Sequence, residues 1–404
     1  LQRTNNHCGR ARAAGSAARA AAARGGERTM TARRQLTRRD FVKTTAGLAA
    51  GLALGTRMPA ARGDDKVLHW LTYPGHGAPE VVGPFEEKYG VKILAKEYAG
   101  GENMLALIHG SPPGSFDLVT SDAPYVERLK EADFIQPLDP AQYPIDHFWP
   151  EFQQWSQHWF GSTLYAVMTS WGFNGLAYNA KQLTEDDVRS YGIMWDKRLK
   201  GKVGMRDWYL PVMGCFSCYL GHKDPYDIDN GQFQKLRETM FSVKPQVVGF
   251  WDFGAEFDSL ANGVAWVVPG TGDWMTGMLA RDGHPIRSTT TDERAPMWTE
   301  SASIVTGTKK KPLCQEFIRY LASPEGQVRL MTKSSYMASG PSKDGWQLLN
   351  DTQPQVAKTI NMDLNGRNLM NMIREGKIVP RRLPKQQSSE AWQQAYTEFQ
   401  NLKA

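Results

Sequence analysis

Cys215-Phe216-Ser217-Cys218 is the single CxxC spacing in the chain. That pattern can hold a disulfide or two ligands of a metal. It has no second CxxC to complete a metal site, and it falls in an apolar, helical run. Two packed thiols or one local disulfide is the reading those neighbours favour. The histidines His69, His76, His109, His147, His158, His222 and His284 are scattered, with no HxxH or HExxH pair to present two imidazoles on one helix face. No GxSxG nucleophile elbow and no Walker sequence occurs. The residues therefore argue against zinc hydrolysis, serine-nucleophile chemistry and nucleotide hydrolysis. The chain is read as a protein that is not an enzyme and needs no cofactor. What stands out instead is indole: thirteen Trp in 404 residues, several of them in loops predicted at strand ends.

Those loops depend on the elements that carry them. Lys66–Thr72, Val91–Tyr98 and Phe116–Thr120 read as strands, with helix patterns at Pro79–Lys88, Glu102–Ile108 and Tyr125–Glu131. The βαβαβ order predicts a parallel sheet with helices on both faces. Ligands of such sheets sit beyond the carboxyl ends of the strands. That directs attention to Thr72-Tyr73-Pro74-Gly75-His76 and Ser121-Asp122-Ala123-Pro124-Tyr125. A second unit follows. Strands are expected at Leu164–Met168 and Gly175–Tyr178 on either side of Trp171-Gly172, then at Lys202–Arg206, at Val264–Pro269 and from Ser301 to Val305. Helices are expected from Pro312 to Ala322 and, amphipathic, from Ser388 to Leu402. No repeat of 20–50 residues is visible.

A length of 404 residues is long for one core and short for three, so two lobes are expected. Hydrophobic residues at 41% and charged residues at 22% exclude a disordered or collagen-like chain and a polytopic membrane protein. The formal charge of +6 misleads. Residues 1–63 hold 13 Lys/Arg and two acids, which leaves 35 basic and 40 acidic groups in the body. A nucleic-acid partner inferred from the overall basicity loses its basis there. Residues 1–29 are Ala/Arg-rich low complexity or untranslated upstream sequence, with Met30 the expected start. Residues 30–62 have the order of a twin-arginine signal peptide: Arg38-Arg39-Asp40-Phe41-Val42-Lys43, a Gly/Ala-rich apolar run, then Pro59-Ala60-Ala61. That run is about a dozen residues where a membrane span needs about 20, so cleavage is expected rather than anchoring.

In order along the body come Trp70, Thr72 and Tyr73, then Phe85–Ile93 and Phe116-Asp117-Leu118-Val119 with Ser121 and Tyr125. Ser170-Trp171-Gly172, Lys200-Gly201-Lys202-Val203 with Asp207, Met297-Trp298-Thr299-Glu300-Ser301 and Ala322-Ser323-Pro324-Glu325 complete the series. As an ordered set these resemble the periplasmic solute-binding proteins of spermidine/putrescine ABC importers, a type II periplasmic-binding-protein family. The resemblance covers nearly all of 65–380. It implies an α/β two-lobe fold, each lobe a mixed, mostly parallel sheet flanked by helices, with hinge crossovers between lobes. Lobe one is expected at 65–177 plus 302–345, and lobe two at 178–301 plus 346–404. It further implies a periplasmic, monomeric binder of a small cationic amine, served by a membrane permease and an ATPase, with no nucleic-acid partner.

A polyamine asks for carboxylates at set distances and aromatic faces over its methylenes and charges. Trp70, Tyr73, Trp171, Trp208, Trp274, Trp298 and Tyr336 are the candidate rings. A cation over a ring gains roughly 0.5–2 kcal/mol, and a charge-assisted hydrogen bond roughly 1.5–3 kcal/mol. A micromolar complex needs about 8 kcal/mol, within reach of two carboxylates and two or three rings. By the family match, Glu300 receives one ammonium with Trp298 beside it, and Asp207 receives another. Ser121 and Tyr125 supply contacts from lobe one, Thr72 and Tyr73 flank one end, and Tyr336 closes the site. Trp171 and Trp274 complete the set. Asp207 reads equally as a helix N-cap, and Trp171 and Trp208 equally as core.

The chain departs from the family at three places. Leu210 stands where a second acid is expected, and Gly270 where a stacking Trp is expected, with Asp273 or Trp274 as nearby substitutes. Arg381-Arg382 follow Val379-Pro380 and would suit a carboxylate. A shorter diamine, or an amino or guanidino acid, thus stands beside polyamine as the ligand class. An anion or ferric-ion receptor on the same fold is a further alternative, as is an exported redox or metal enzyme.

Overall fold

A computed structural model describes residues 66–403. The expectations for 1–29 and for the twin-arginine signal at 30–62 lie outside the described residues. The strands are β1 (Val67–Thr72), β2 (Lys92–Glu97), β3 (Leu118–Asp122), β4 (Trp159–Phe160), β5 (Thr163–Leu164), β6 (Val167–Phe173), β7 (Leu176–Asn179), β8 (Val203–Arg206), β9 (Val247–Trp251), β10 (Val267–Pro269), β11 (Ile286–Thr289), β12 (Ala295–Ile304) and β13 (Ile378–Pro380). β4 and β5 form a small hairpin of their own. The others form two sheets, one per lobe.

The first sheet starts as the βαβαβ pattern predicts. β1 pairs in parallel with both β2 and β3. The helix Pro79–Tyr89 between β1 and β2 begins with Pro at its first position, where a missing N–H costs nothing. It ends at Gly90 with φ +61°, and it buries Val81, Val82 and Phe85. The hub of this sheet is β12. Its start, Ala295–Met297, pairs with β13. Its end, Glu300–Ile304, runs antiparallel to β3, and β6 lies antiparallel to it from Met297 to Ala302. Every residue of β6 and β12 is buried, as befits strands covered on both faces. One cover is the helix Lys311–Ala322, whose buried residues Cys314, Phe317, Ile318, Leu321 and Ala322 follow the i, i+3, i+4, i+7, i+8 spacing of one helix face.

The second sheet has the order β11-β7-β10-β8-β9. The helix Tyr209–Tyr219 beneath it is buried at ten of its eleven positions. Cys215 and Cys218 lie within that helix as free, fully buried thiols, and burial pushes the Cys215 thiol up to about 12. The chain end returns to this lobe. The helix Ser389–Asn401 is capped by Ser388 and inserts Trp392 between Tyr226 and Phe233. No helix among the described residues is long and apolar enough to cross a membrane.

Two expectations are corrected. Trp171-Gly172 is not a crossover between strands. Both residues sit inside β6, opposite Thr299 and Trp298 of β12, and the chain leaves the first sheet at Asn174-Gly175. The lobe boundaries move with it. β7 belongs to the second sheet and all of β12 to the first, because β12 needs β6, β3 and β13 to satisfy its backbone. The expected boundary between 345 and 346 runs through the helix Lys343–Thr352, which buries Trp346 and Leu349 in the same core as Leu68, Val167 and Phe317.

Candidate functional site

A cavity of about 210 Å³ opens where β3, β12 and the β1 loop of the first lobe face β8 and the helices of the second. It is lined by Tyr73, Tyr98, Asp122, Asn174, Trp298, Thr299, Glu300, Tyr336 and Arg381 on one side and by Arg206, Trp208, Phe253 and Trp274 on the other.

Glu300 is 5% exposed, and three neighbours hold it. The Tyr336 hydroxyl donates to its Oε1 at 2.5 Å, and His76 Nε2 lies 3.2 Å from its Oε2. His76 is fixed in turn by the Thr72 hydroxyl at 2.9 Å from Nδ1 and by the Tyr336 hydroxyl at 2.8 Å from Nε2. Burial would push the Glu300 carboxyl up, but His76, Lys333 and the Tyr336 hydroxyl outweigh it and hold it at about 2. Burial also holds His76 below the usual imidazole range despite the pull of Glu300. Lys333 is buried with its Nζ 3.5 Å from the centre of the Tyr336 ring. Burial lowers it to about 8, with Glu300 pulling the other way. Glu300 is thus an ionised carboxylate in a dry place, and its Oε2 faces only the His76 ring nitrogen at 3.2 Å.

Aromatic rings surround that carboxylate. Trp298 and Trp274 stand edge-on to Tyr336 at 6.3 and 6.4 Å, Phe253 stacks on Trp274 at 5.6 Å, and Tyr73 packs on Tyr98 at 4.7 Å. Gly172 is what lets Trp298 lie where it does: a Cβ there would stand 2.7 Å from the indole. Gly270 has φ +84°, a conformation a Trp would not adopt, and its carbonyl accepts from Asn174 Nδ2. At this position the chain supplies a backbone bend in place of a ring.

Two ion pairs frame the pocket. Arg381, 4% exposed, reaches Asp122 at 2.5 Å and Asn174 Oδ1 at 2.7 Å, and stacks on Trp208 at 4.7 Å. Asp122 also accepts from the Thr299 N–H. Arg206 lies 3.2 Å from the fully buried Glu256 and stacks on Trp274 at 4.9 Å.

Of the ten expected site residues, Tyr73, Trp274, Trp298, Glu300 and Tyr336 line the cavity, and Thr72 stands behind it, bonded to His76, which in turn holds Tyr336. Four are placed elsewhere. Ser121 is fully buried opposite Ser301, and Tyr125 is buried with its hydroxyl donating to Glu102. Trp171 packs on Phe152 and donates to the Gly340 carbonyl, as core. Asp207 is exposed and accepts from Gln400, and it neither lines the cavity nor caps the following helix. Asp273 is buried at a helix start, pushed up to about 7 by burial, and Arg382 sits beside Asp224; neither lines the cavity. Trp70 is core.

The residues missed, Asp122 and Arg206 above all, each sit one position from a residue chosen. Successive strand residues point to opposite faces, so Asp122 and Arg206 meet the cavity where Ser121 and Asp207 do not. Tyr98, Phe253 and Asn174 carried no signal of their own beyond position at an element end.

Two sheets joined by crossovers around an aromatic, carboxylate-bearing pocket are the architecture of a solute binder. The sequence profile of the bacterial extracellular solute-binding proteins matches residues 80–360, and the chain belongs to that family. It is 25% identical over 288 residues to the spermidine/putrescine-binding periplasmic protein of Escherichia coli, covering 69% of this chain and 79% of that one. It is 23% identical over 300 residues to the putrescine-binding periplasmic protein of the same species, covering 70% and 80%. A solved spermidine/putrescine ABC transporter substrate-binding protein from Streptococcus pneumoniae shares the fold. The TM-score is 0.67 at 15% identity, over 83% of this chain and 98% of that one.

Proposed function

We propose that this protein is the capture component of an ABC importer, exported to the periplasm through its twin-arginine leader, and that it binds a polyamine or related cationic amine in the cavity between its lobes. The observation that carries the reading is Glu300: a buried, ionised carboxylate walled by Trp298, Tyr336 and Trp274. An ammonium placed there gains a charge-assisted bond and ring faces together. The relatives named for spermidine and putrescine support the same ligand class. Transport energy comes from partner subunits, a membrane permease and an ATPase. The binder acts as a monomer that closes on its ligand.

The test is calorimetric titration with putrescine, spermidine and related amines, preceded by a thermal-shift screen, since a ligand of the native state raises the melting point. Glu300→Gln is expected to weaken amine binding at least tenfold, about 1.4 kcal/mol. Unchanged affinity would remove Glu300 from the site.

A further inference from the structure

The charges around the cavity leave room for one ammonium and not two. Asp122 is matched by Arg381, and Arg206 by Glu256, each pair within ion-pair distance. Glu300 is the one lining carboxylate with no arginine beside it. With the buried Lys333 acting on Glu300 from beside Tyr336, the acids and bases here are balanced, so a dication would add buried charge that nothing answers, whereas a ligand carrying one charge of each sign leaves the balance unchanged.

The hydrogen-bonding groups point the same way. The indole N–H groups of Trp208, Trp274 and Trp298 and Nε of Arg381 are all buried on lining residues without a hydrogen-bond partner. On the acceptor side, Asp122 is used by Arg381 and the Thr299 N–H, and Glu300 Oε2 is the one buried side-chain oxygen of the lining left open. A protonated polyamine is all donor and no acceptor. It can answer Glu300 and can do nothing for four waiting donors. Arg206 is the donor best prepared for a ligand. Its plane is held by the Trp274 ring and by Glu256, whose Oε2 lies 3.2 Å from Nη1 and whose other oxygen is occupied by the Thr271 hydroxyl, so Nε and Nη2 are the edge left for a ligand. A planar fork held in this way suits a carboxylate.

We propose that the ligand is amphoteric: an ammonium or guanidinium end received by Glu300, and a carboxylate end received by Arg206 with help from neighbouring indole N–H groups. The inference rests on the amine reading of Glu300 and narrows it to the ω-amino and guanidino acids.

The experiment compares diamines with ω-amino acids of matched chain length, from three to six carbons, by calorimetry on the purified protein. The best amino acid is expected to bind at least tenfold tighter than the diamine of its length. Arg206→Gln is made together with Glu256→Gln, so that no lone charge is left buried; the preference is then expected to fall below threefold. Glu300→Gln is expected to weaken both classes. Diamines binding as tightly as every amino acid, or a preference that survives the double variant, overturns the inference and leaves the amine reading standing. Binding of neither class removes the amine reading itself. If the double variant does not fold, the wild-type preference decides alone.

Discussion

At the scale of single residues, the pocket is built from charges that are answered in pairs and one that is not. Asp122 and Arg381 are 2% and 4% exposed and meet at 2.5 Å. Such a pair contributes little net stability when intact, yet it costs about 3–5 kcal/mol to break, because the surviving charge is stranded in a dry place. Asp122→Asn is therefore expected to destabilise the protein by about that amount in urea denaturation. Combining it with Arg381→Met should recover much of the loss, since both charges then leave together. If the double variant falls by the sum of the two single losses, the residues are not coupled and the brace between β3 and β13 has another basis. Glu300 differs in kind: an imidazole and a hydroxyl hold it in place, and the cation that acts on it, Lys333, lies over the Tyr336 ring rather than in an ion pair with it.

At the scale of elements, strand register places the chemistry. Glu300 of β12 lies directly opposite Asp122 of β3, so two carboxylates meet in the pocket and one needs Arg381 to tolerate the other. Helix ends supply the interlobe contact. Glu102, at the start of the helix Gly101–Gly110, accepts from Tyr125 of its own lobe at 2.7 Å and from Tyr209 of the other lobe at 3.2 Å. None of the three lines the cavity. A single hydrogen bond of this kind is worth about 0.5–1.5 kcal/mol net, or roughly two- to tenfold in a closing equilibrium. Tyr209→Phe should weaken ligand binding by that factor while leaving every ligand contact in place. Small-angle scattering of the ligand-free variant should show a larger radius of gyration. Equal affinity in wild type and variant would mean that this bond does not bias closure.

At the scale of the whole molecule, buried titratable groups set the acid limit. His158 is 3% exposed beside Ser301, and burial drives it down to about 3. Burial lowers His76 as well. Unfolded imidazoles take up protons below about pH 6.5, while His158 stays neutral in the fold, so the unfolded state binds more protons and stability falls as pH drops below that point. For His158 alone the loss at pH 5 is about 2 kcal/mol. Glu300 acts lower: its stabilisation is present above the unfolded value near 4.3 and is lost as pH falls toward about 2. Urea denaturation at pH 7.5 and pH 5 should show the decline, and His158→Asn should flatten it. A wild-type stability that is level across that range would contradict the neutral state of His158.

Local signals in the sequence were enough for the class of fold and for the kind of pocket. Amphipathic spacing marked the helices Pro79–Tyr89, Lys311–Ala322 and Ser389–Asn401, and alternation of strand and helix patterns marked the parallel start of the first sheet. Trp298 and Glu300 could be chosen from their place in an ordered set of motifs. Sequence distance hid the rest. Arg381 meets Asp122 across 259 positions, and Tyr336 meets His76 across 260. Local patterns carry no information about such partners, because long-range pairing is decided by how whole strands dock. The same docking settled which of two adjacent residues faces the cavity. A one-residue step along a strand reverses the side chain, and periodicity alone could not tell Ser121 from Asp122 or Asp207 from Arg206. The composition of the site was therefore a property of the chain, and its charge balance a property of the folded molecule.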